Sequence, residues 1–484
     1  MSDGGVGFRS ERGPVLIALM LATALVAVDA TIIATAVPSI VTDIGGFTEF
    51  PWLFSIYLLA QAVTVPVYGK LADLFGRKPV ILFGIGLFLL GSILCGVAWS
   101  MPALIVFRVV QGAGAGAIQP MSITIVGDLY SLEERAKVQG YIASVWGMSA
   151  VIGPTLGGVF SEYASWRWIF FINIPLCALA AFMLTRKFTE CVERSHPHID
   201  YRGAALLTTG CTLLILGVLE GGQAWGWFSL PGLMILGFGA ALLIGFVLVE
   251  RHVPEPVLPL WVFSRRLLLS TSLVSAAVGA IVLGLTSYIP TFVQDVLGTG
   301  PLVAGFALAT LTMGWPVSAS QSGRLYLRFG FRWTALGGSV FVIAGCALLL
   351  LLNESSSVLQ VAGTCFVIGF GMGLVAAPTL IAAQSSVGWS ERGVVTGNNL
   401  FCRSLGSAVG VAVFGAIANA TLRSGGGSAS SASSASLTTA TQHVFVAVLV
   451  VSLGMTAAVA CMPGREAQAD QDPPIRPRRA HAPG

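Results

Sequence analysis

A chain of 484 residues that is 55% hydrophobic and only 10% charged cannot keep a globular surface wet, because soluble domains carry about 25% charged side chains. The balance excludes a water-soluble fold and leaves an all-α polytopic membrane protein. The formal net charge of +4 is then no sign of a nucleic-acid partner; what matters is where the basic residues lie.

About fourteen apolar stretches are each long enough to cross a ~30 Å hydrocarbon core as a helix. In chain order they fall near 14–37, 53–72, 79–98, 103–127, 137–160, 168–187, 203–223, 230–250, 267–293, 302–322, 332–352, 358–382, 393–419 and 441–462. The first, PVLIALMLATALVAVDATIIATAVP, is long for the core of a signal peptide and carries an acid, Asp29, so it reads as a membrane helix. Place the N-terminus in the cytoplasm, and 22 of the 26 Lys and Arg residues fall in segments on that side. Only Arg167 and Arg423 lie outside, while Arg108 and Arg403 fall within spans. This asymmetry obeys the positive-inside rule. It predicts an even number of spans and two cytoplasmic termini in a plasma (inner) membrane.

The loop between spans two and three, GKLADLFGRK (69–78), is echoed between spans ten and eleven by GRLYLRFGFR (323–332). Both fit G-[KR]-L-x-x-x-F-G-x-[RK], and such a repeat implies two six-helix bundles. The expected division is 1–202 and 267–462 for the bundles, 203–266 for two inserted helices, and 463–484 for a disordered tail. SGGGSASSASSAS (424–436) reads as a flexible loop. Leu327 stands where the first copy has Asp73, so the repeat has decayed.

An ionisable group at mid-helix in a membrane costs roughly 2.5–3.5 kcal/mol on insertion scales, so each one needs a reason. The spans hold Asp29, Arg108, Glu220 and Arg403. A carboxyl out of water holds a proton more readily, which makes Asp29 a candidate proton carrier. Arg108 cannot lose its proton and needs an acid or a cavity; Gln111, three residues on, shares its helix face. The pair Asp29 and Arg108 is either a coupling element or a static tie between two helices. Glu220 ends span seven beside Trp225 and Trp227, and reads as a wet interfacial acid or a second coupling site. Asp73 lies near a helix end, where it can reach water; alternatively it meets a helix N-terminus or an arginine and latches one conformation. Gly69, Asp73, Gly76, Arg77 and Lys78 would form that latch. Gly153, Pro154 and Gly157 form a glycine-flanked proline site, a candidate hinge. Tyr57 and Gln61 on span two, Gln111 on span four, and Asn398 and Arg403 on span thirteen are expected on a central substrate cavity. The eight cysteines are scattered singly, with no metal-like spacing.

Several of these strings together resemble the major facilitator superfamily, and within it the fourteen-helix drug:proton antiporter family. GKLADLFGRK is similar to the family's loop motif and RVVQGAGAG (108–116) to its fourth-helix motif. GMSAVIGPTLGG (147–158) resembles the fifth-helix motif associated with antiporters. VDATIIATAVPSI (28–40) and WRWIFFINIP (166–175) are typical of the fourteen-helix branch. The resemblance implies two six-helix bundles with two extra helices between them, working as a monomer by alternating access with the proton as coupling ion and no other cofactor. A proton on Asp29 would loosen its tie to Arg108 and favour return to the inward-facing state. The implied activity is efflux of small hydrophobic or cationic compounds, with multidrug efflux and antibiotic resistance as the expected outcome. The alternatives are a dedicated exporter of one endogenous metabolite, lipid or antibiotic, and a proton-coupled uptake symporter.

Other classes lack their parts. An ATP-driven pump needs G-x-x-x-x-G-K-[ST], which the chain does not contain. A channel would want a pore-lining ring of charge or a filter. An embedded enzyme would need clustered nucleophiles or metal ligands, whereas the five histidines lie mostly in loops or near span ends.

Overall fold

The computed structural model describes residues 7–8, 10–45, 52–190, 200–220, 225–226, 229–253, 256–424 and 434–464. Most of the Gly/Ser loop, Trp227 and nearly all of the C-terminal tail lie outside the described residues. The long helices are α1 (Gly13–Ile44), α2 (Trp52–Phe75), α3 (Arg77–Gly96), α4 (Met101–Leu129), α5 (Leu132–Tyr163), α6 (Asn173–Lys187, entered through a single turn at Trp168–Phe171) and α7 (Tyr201–Glu220). They continue with α8 (Leu230–Glu250), α9 (Arg266–Thr291), α10 (Pro301–Phe329), α11 (Phe331–Leu349), α12 (Val358–Ser385), α13 (Arg392–Ser424) and α14 (Ser434–Ala460).

Twelve of the described helical segments are long and apolar enough to cross a membrane. The sequence expectation of fourteen exceeds that count by α5 and α7. Both helices include positions whose side chains lie outside the described residues, 150, 151 and 154 in α5 and 218–220 in α7; the described apolar stretch of α7 is Tyr201–Gly217. Both are helices, of 32 and 20 residues.

Local chemistry sets the helix ends. Ser100 caps α4, with a proline in the first turn, and Ser357 with Gln360 forms a capping box on α12. The two loops of the repeat end in matching glycines, Gly76 at φ +96° and Gly330 at φ +86°. Only glycine adopts that region without strain, so the repeat seen in sequence is also a repeat of backbone turn.

Hydrocarbon is as apolar as leucine, so helices in a bilayer associate by close packing and polar ties rather than by hydrophobic burial. One core joins α1 to α6 through residues such as Leu19, Leu25, Phe88 and Ile118. A second joins α9 to α14 through Ile281, Phe292, Val342 and Phe445. A third lies at the junction, where α7 and α8 bring Leu207, Cys211 and Phe246 against Leu59 and Val63 of α2 and Val394 and Phe401 of α13. The far side of α8 leaves Met234, Phe238 and Ile244 more than 60% exposed, a surface suited to lipid.

Candidate functional site

Asp29 and Arg108 meet inside the first six helices. Arg108 Nη1 donates to Asp29 Oδ2 at 2.6 Å and to Gln111 Oε1 at 2.7 Å. Arg108 Nε donates to the Leu53 carbonyl at 3.1 Å, and the guanidinium lies over the Tyr57 ring, 4.1 Å from its centroid. Gln111 Nε2 donates to Asp29 Oδ1 at 2.7 Å and to Ser92 Oγ at 2.9 Å. Asn173 Nδ2 reaches the same two oxygens at 3.5 and 3.2 Å. Asp29 and Arg108 are each 1% exposed. Every group that touches the carboxylate is an N–H donor, an arrangement that fits the acceptor-only ionised form.

α5 closes over this cluster through its glycines. A Cβ on Gly153 would sit 2.0 Å from Thr31 Oγ1, and one on Gly157 would sit 2.4 Å from the Ile32 carbonyl, so α1 and α5 touch at glycine distance. Gly158, one residue on, faces open space. We expect Gly157→Leu to lower the thermal midpoint of the purified protein by overpacking worth about 1–3 kcal/mol, while Gly158→Leu leaves it unchanged; equal shifts would show that the close approach is not a constraint. Pro154 lies within α5, and its side chain, like that of Glu220 at the end of α7, lies outside the described residues.

The 69–78 turn forms a second constellation. Asp73 is not wet, in contrast to the reading of its helix-end position; its side chain is 4% exposed. The reason is tertiary. Asp73 Oδ1 and Oδ2 accept from the first amides of α13, Gly393 N at 2.9 Å and Val394 N at 2.8 Å, where the helix dipole favours a carboxylate. Arg77 Nη2 also donates to Asp73 Oδ1 at 2.9 Å. Arg77 is fully buried. It lies 3.1 Å from Asp128 Oδ2, stacks on Trp389 at 3.7 Å and donates to the Trp389 carbonyl. Arg392 donates to Asp128 Oδ1 at 2.9 Å. Gly69 and Gly393 pack backbone to backbone. Lys78 stays within the first six helices, donating to the Thr185 and Phe188 carbonyls. Glu190 accepts from the Arg77 and Lys78 amides at 2.9 Å each, at the N-terminus of α3.

The second copy of the turn does the same task with neutral groups. Tyr326, on α10, donates its hydroxyl to the Leu132 carbonyl at the start of α5. Leu327 makes no such contact among the described residues, and its neighbour Tyr326 supplies the tie between the halves here. The sequence reading missed Asp128, Trp389, Arg392 and Tyr326. A signal existed: ERAKVQG (134–140) and ERGVVTG (391–397) form a second internal repeat, which places Arg135 and Arg392 at equivalent helix starts.

Between the two groups of helices lies a cavity of about 260 Å³. Gln119, Gln139 and Trp146 line it from one group, and Ser275, Trp315, Asn399 and Arg403 from the other. Of the residues expected there, Arg403 reaches it. Gln61 stands one step behind, donating to Gln119 Oε1 at 3.0 Å. Tyr57 and Gln111 are sealed in the Asp29 cluster. Asn398 turns to Ser272, donating at 2.8 Å, and it is Asn399, about 100° further round the helix, that lines the cavity. No group of three or more potential metal ligands occurs among the described residues.

The model of the Major Facilitator Superfamily matches residues 19–411. "Multidrug resistance protein 3" of Bacillus subtilis is 35% identical over 405 residues, covering 83% of this chain and 79% of that protein. "Multidrug transporter protein MdtP" of the same organism is 34% identical, over 86% of this chain and 76% of that one. "Efflux pump FUS6" of Gibberella fujikuroi is 31% identical, over 84% and 75%. Among solved structures, the human organic anion transporter MFSD10 (TETRAN) matches with a TM-score of 0.66 at 16% identity, covering 93% of this chain and 99% of that one, which is a likeness of fold.

Proposed function

The chain belongs to the major facilitator superfamily, a family of transporters and not of enzymes, and from that premise we propose that it is a proton-coupled exporter of amphiphilic or lipophilic compounds. In this reading it is one of the fourteen-helix drug:proton antiporters, with α5 and α7 as the two further spans. It works as a monomer in the plasma membrane with both termini in the cytoplasm, and the two six-helix groups move about the cavity. The observation that carries the reading is the Asp29–Arg108 pair, a buried carboxylate held only by donors, on helices that also line a cavity between two groups of helices. The relatives named for multidrug resistance and efflux support export over uptake.

The geometry supports a cycle of this kind. The 69–78 latch holds the halves together on one face, which the distribution of basic residues assigns to the cytoplasm, so the cavity serves the outside in this state. Protonation of Asp29 removes the counter-charge of Arg108 and frees α4 and α5 to shift. Opening of the latch exposes Asp73 and Arg77 to water and presents the cavity to the cytoplasm. Substrate entry and proton release then reset the pair. A cavity of this size suits a single ligand of modest dimensions, an observation that favours a second reading, a dedicated exporter of one endogenous metabolite.

The test is a pH gradient imposed on vesicles that contain the purified protein, with a panel of neutral, anionic and cationic lipophilic dyes. At least one dye should move against the proton flow at a rate that rises with the gradient and stops with a protonophore. Movement in the same direction as the proton would replace export by symport, and gradient-independent movement would remove proton coupling.

A further inference from the structure

Arg403 lines the cavity, yet among the described residues its guanidinium has no hydrogen-bonding or ion-pair partner. The contrast with the other arginines buried between or within the halves is direct. Arg108 has Asp29, Arg77 has Asp73 and Asp128, Arg392 has Asp128, and Arg135 has the carbonyls of Tyr130 and Gly127. Among the described residues, no aspartate or glutamate lines the cavity. The remaining polar lining is uncharged, with the amides of Gln119, Gln139 and Asn399 prominent, and Trp146 and Trp315 add broad apolar surface. A permanent cation in a membrane-embedded cavity without a counter-charge is held at a cost. An anion entering the cavity removes that cost, whereas a cation meets repulsion and finds no acid.

We propose that the substrate of this site carries an anionic group, a carboxylate, sulfonate or phosphate, on an aromatic or aliphatic body, with Arg403 as the residue that selects its charge. The inference deepens the export reading above and rests on it for the direction of movement, but not for binding. Arg403 follows Asn399 by one helical turn, so the two face the cavity together. A guanidinium takes a carboxylate or phosphate through paired N–H donors, and the asparagine amide stands beside it as a further donor. The apolar body would lie against Trp146 and Trp315. Exchange of one such monoanion for one proton would move two charges per cycle in the direction an inside-negative potential favours, whereas exchange of a monocation would move none.

The test uses the full chain in detergent and three probes of similar size: dansyl-leucine, its neutral methyl ester, and a dansyl-alkyltrimethylammonium. Fluorescence anisotropy should show wild type binding the carboxylate at least ten-fold more tightly than the ester, with the cation weakest. Arg403→Gln should bring the carboxylate and the ester to within two-fold of each other, chiefly by weakening the carboxylate. Arg403→Lys should keep most of the preference. Equal binding of carboxylate and ester by wild type, tighter binding of the cation, or a preference that survives Arg403→Gln would each overturn the proposal. The wild-type comparison stands even if a variant fails to fold. Selective binding of the carboxylate without any movement in pH-gradient vesicles would sink the export reading and leave the anion site standing.

Discussion

Asp29→Asn should abolish pH-gradient-driven transport, by 100-fold or more, in protein that still reaches the membrane. The carboxylate accepts from Arg108, Gln111 and Asn173, and a neutral amide cannot satisfy that set. Asparagine offers one acceptor oxygen, and its NH₂ must face either the guanidinium or the Gln111 amide, both donors themselves. Arg108 is then a buried charge without a counter-charge, and breaking a buried pair in this way typically costs about 3–5 kcal/mol. Part of that cost appears as lost thermal stability. The remainder is functional, because asparagine cannot take up or release a proton in the cycle. The double variant Asp29→Asn with Arg108→Gln separates the two effects. It removes the orphaned charge, so it should regain stability toward wild type while proton-coupled transport stays absent. Proton entry read with an internal pH dye, beside the melting temperature, distinguishes the outcomes. If the double variant couples normally, Asp29 and Arg108 are a structural tie and proton coupling must be sought elsewhere, first at Glu220.

The second large effect should come from Arg77→Ala. This arginine bridges Asp73 on α2 and Asp128 on α4, and its plane lies on Trp389 of the other half. Its removal leaves one buried and one half-buried carboxylate without their shared cation. Asp128 keeps Arg392 and Asp73 keeps the α13 amides, so the state is weakened rather than lost. A shift of about 2 kcal/mol toward the form open on this face corresponds to some 30-fold in population. The readout is alkylation of a cysteine placed at Ala136, which is 1% exposed and packs against Gly323 of the other half. Modification there should quicken at least ten-fold in Arg77→Ala, measured on the peptide itself so that native cysteines do not interfere. Arg77→Lys should fall between, because an ammonium keeps the charge but loses the planar fork and the stacking on Trp389. An unchanged rate would show that the network is not what closes this face.

How much of this was legible in the residues differs from site to site. The i, i+3 spacing of Arg108 and Gln111 put both on one helix face, and both do engage Asp29. The paired turns at Gly76 and Gly330 were legible because a left-handed backbone asks for glycine wherever it occurs. Asn173 and Ser92, the other members of the acid cluster, were not seen. A single polar residue on an apolar helix does not say which neighbour it meets. Asn398 and Asn399 illustrate the limit most sharply. Adjacent residues on a helix point about 100° apart, so only one of them could face the cavity, and their identity does not say which. The Asn399 and Arg403 spacing of one turn contained the answer, but it became readable only with the cavity in view.

By itself, the sequence determined the membrane class, the helical segments, the internal repeat and the short set of residues that a bilayer would not tolerate without a purpose. These follow from local rules: helix length against bilayer thickness, the cost of charge in hydrocarbon, and the backbone freedom of glycine. Tertiary structure alone decided that Asp73 is buried on the end of α13, that Asp128, Trp389 and Arg392 join Asp73 and Arg77 in one network, and that Tyr57 and Gln111 belong to the acid cluster rather than the cavity. It also left Arg403, among the described residues, as a cavity-lining charge without a partner. The physical reason is that lipid and protein interior are equally apolar. A membrane helix therefore carries no hydrophobic stripe to mark its inner face, and which polar groups meet is settled only when helices distant in sequence are packed together.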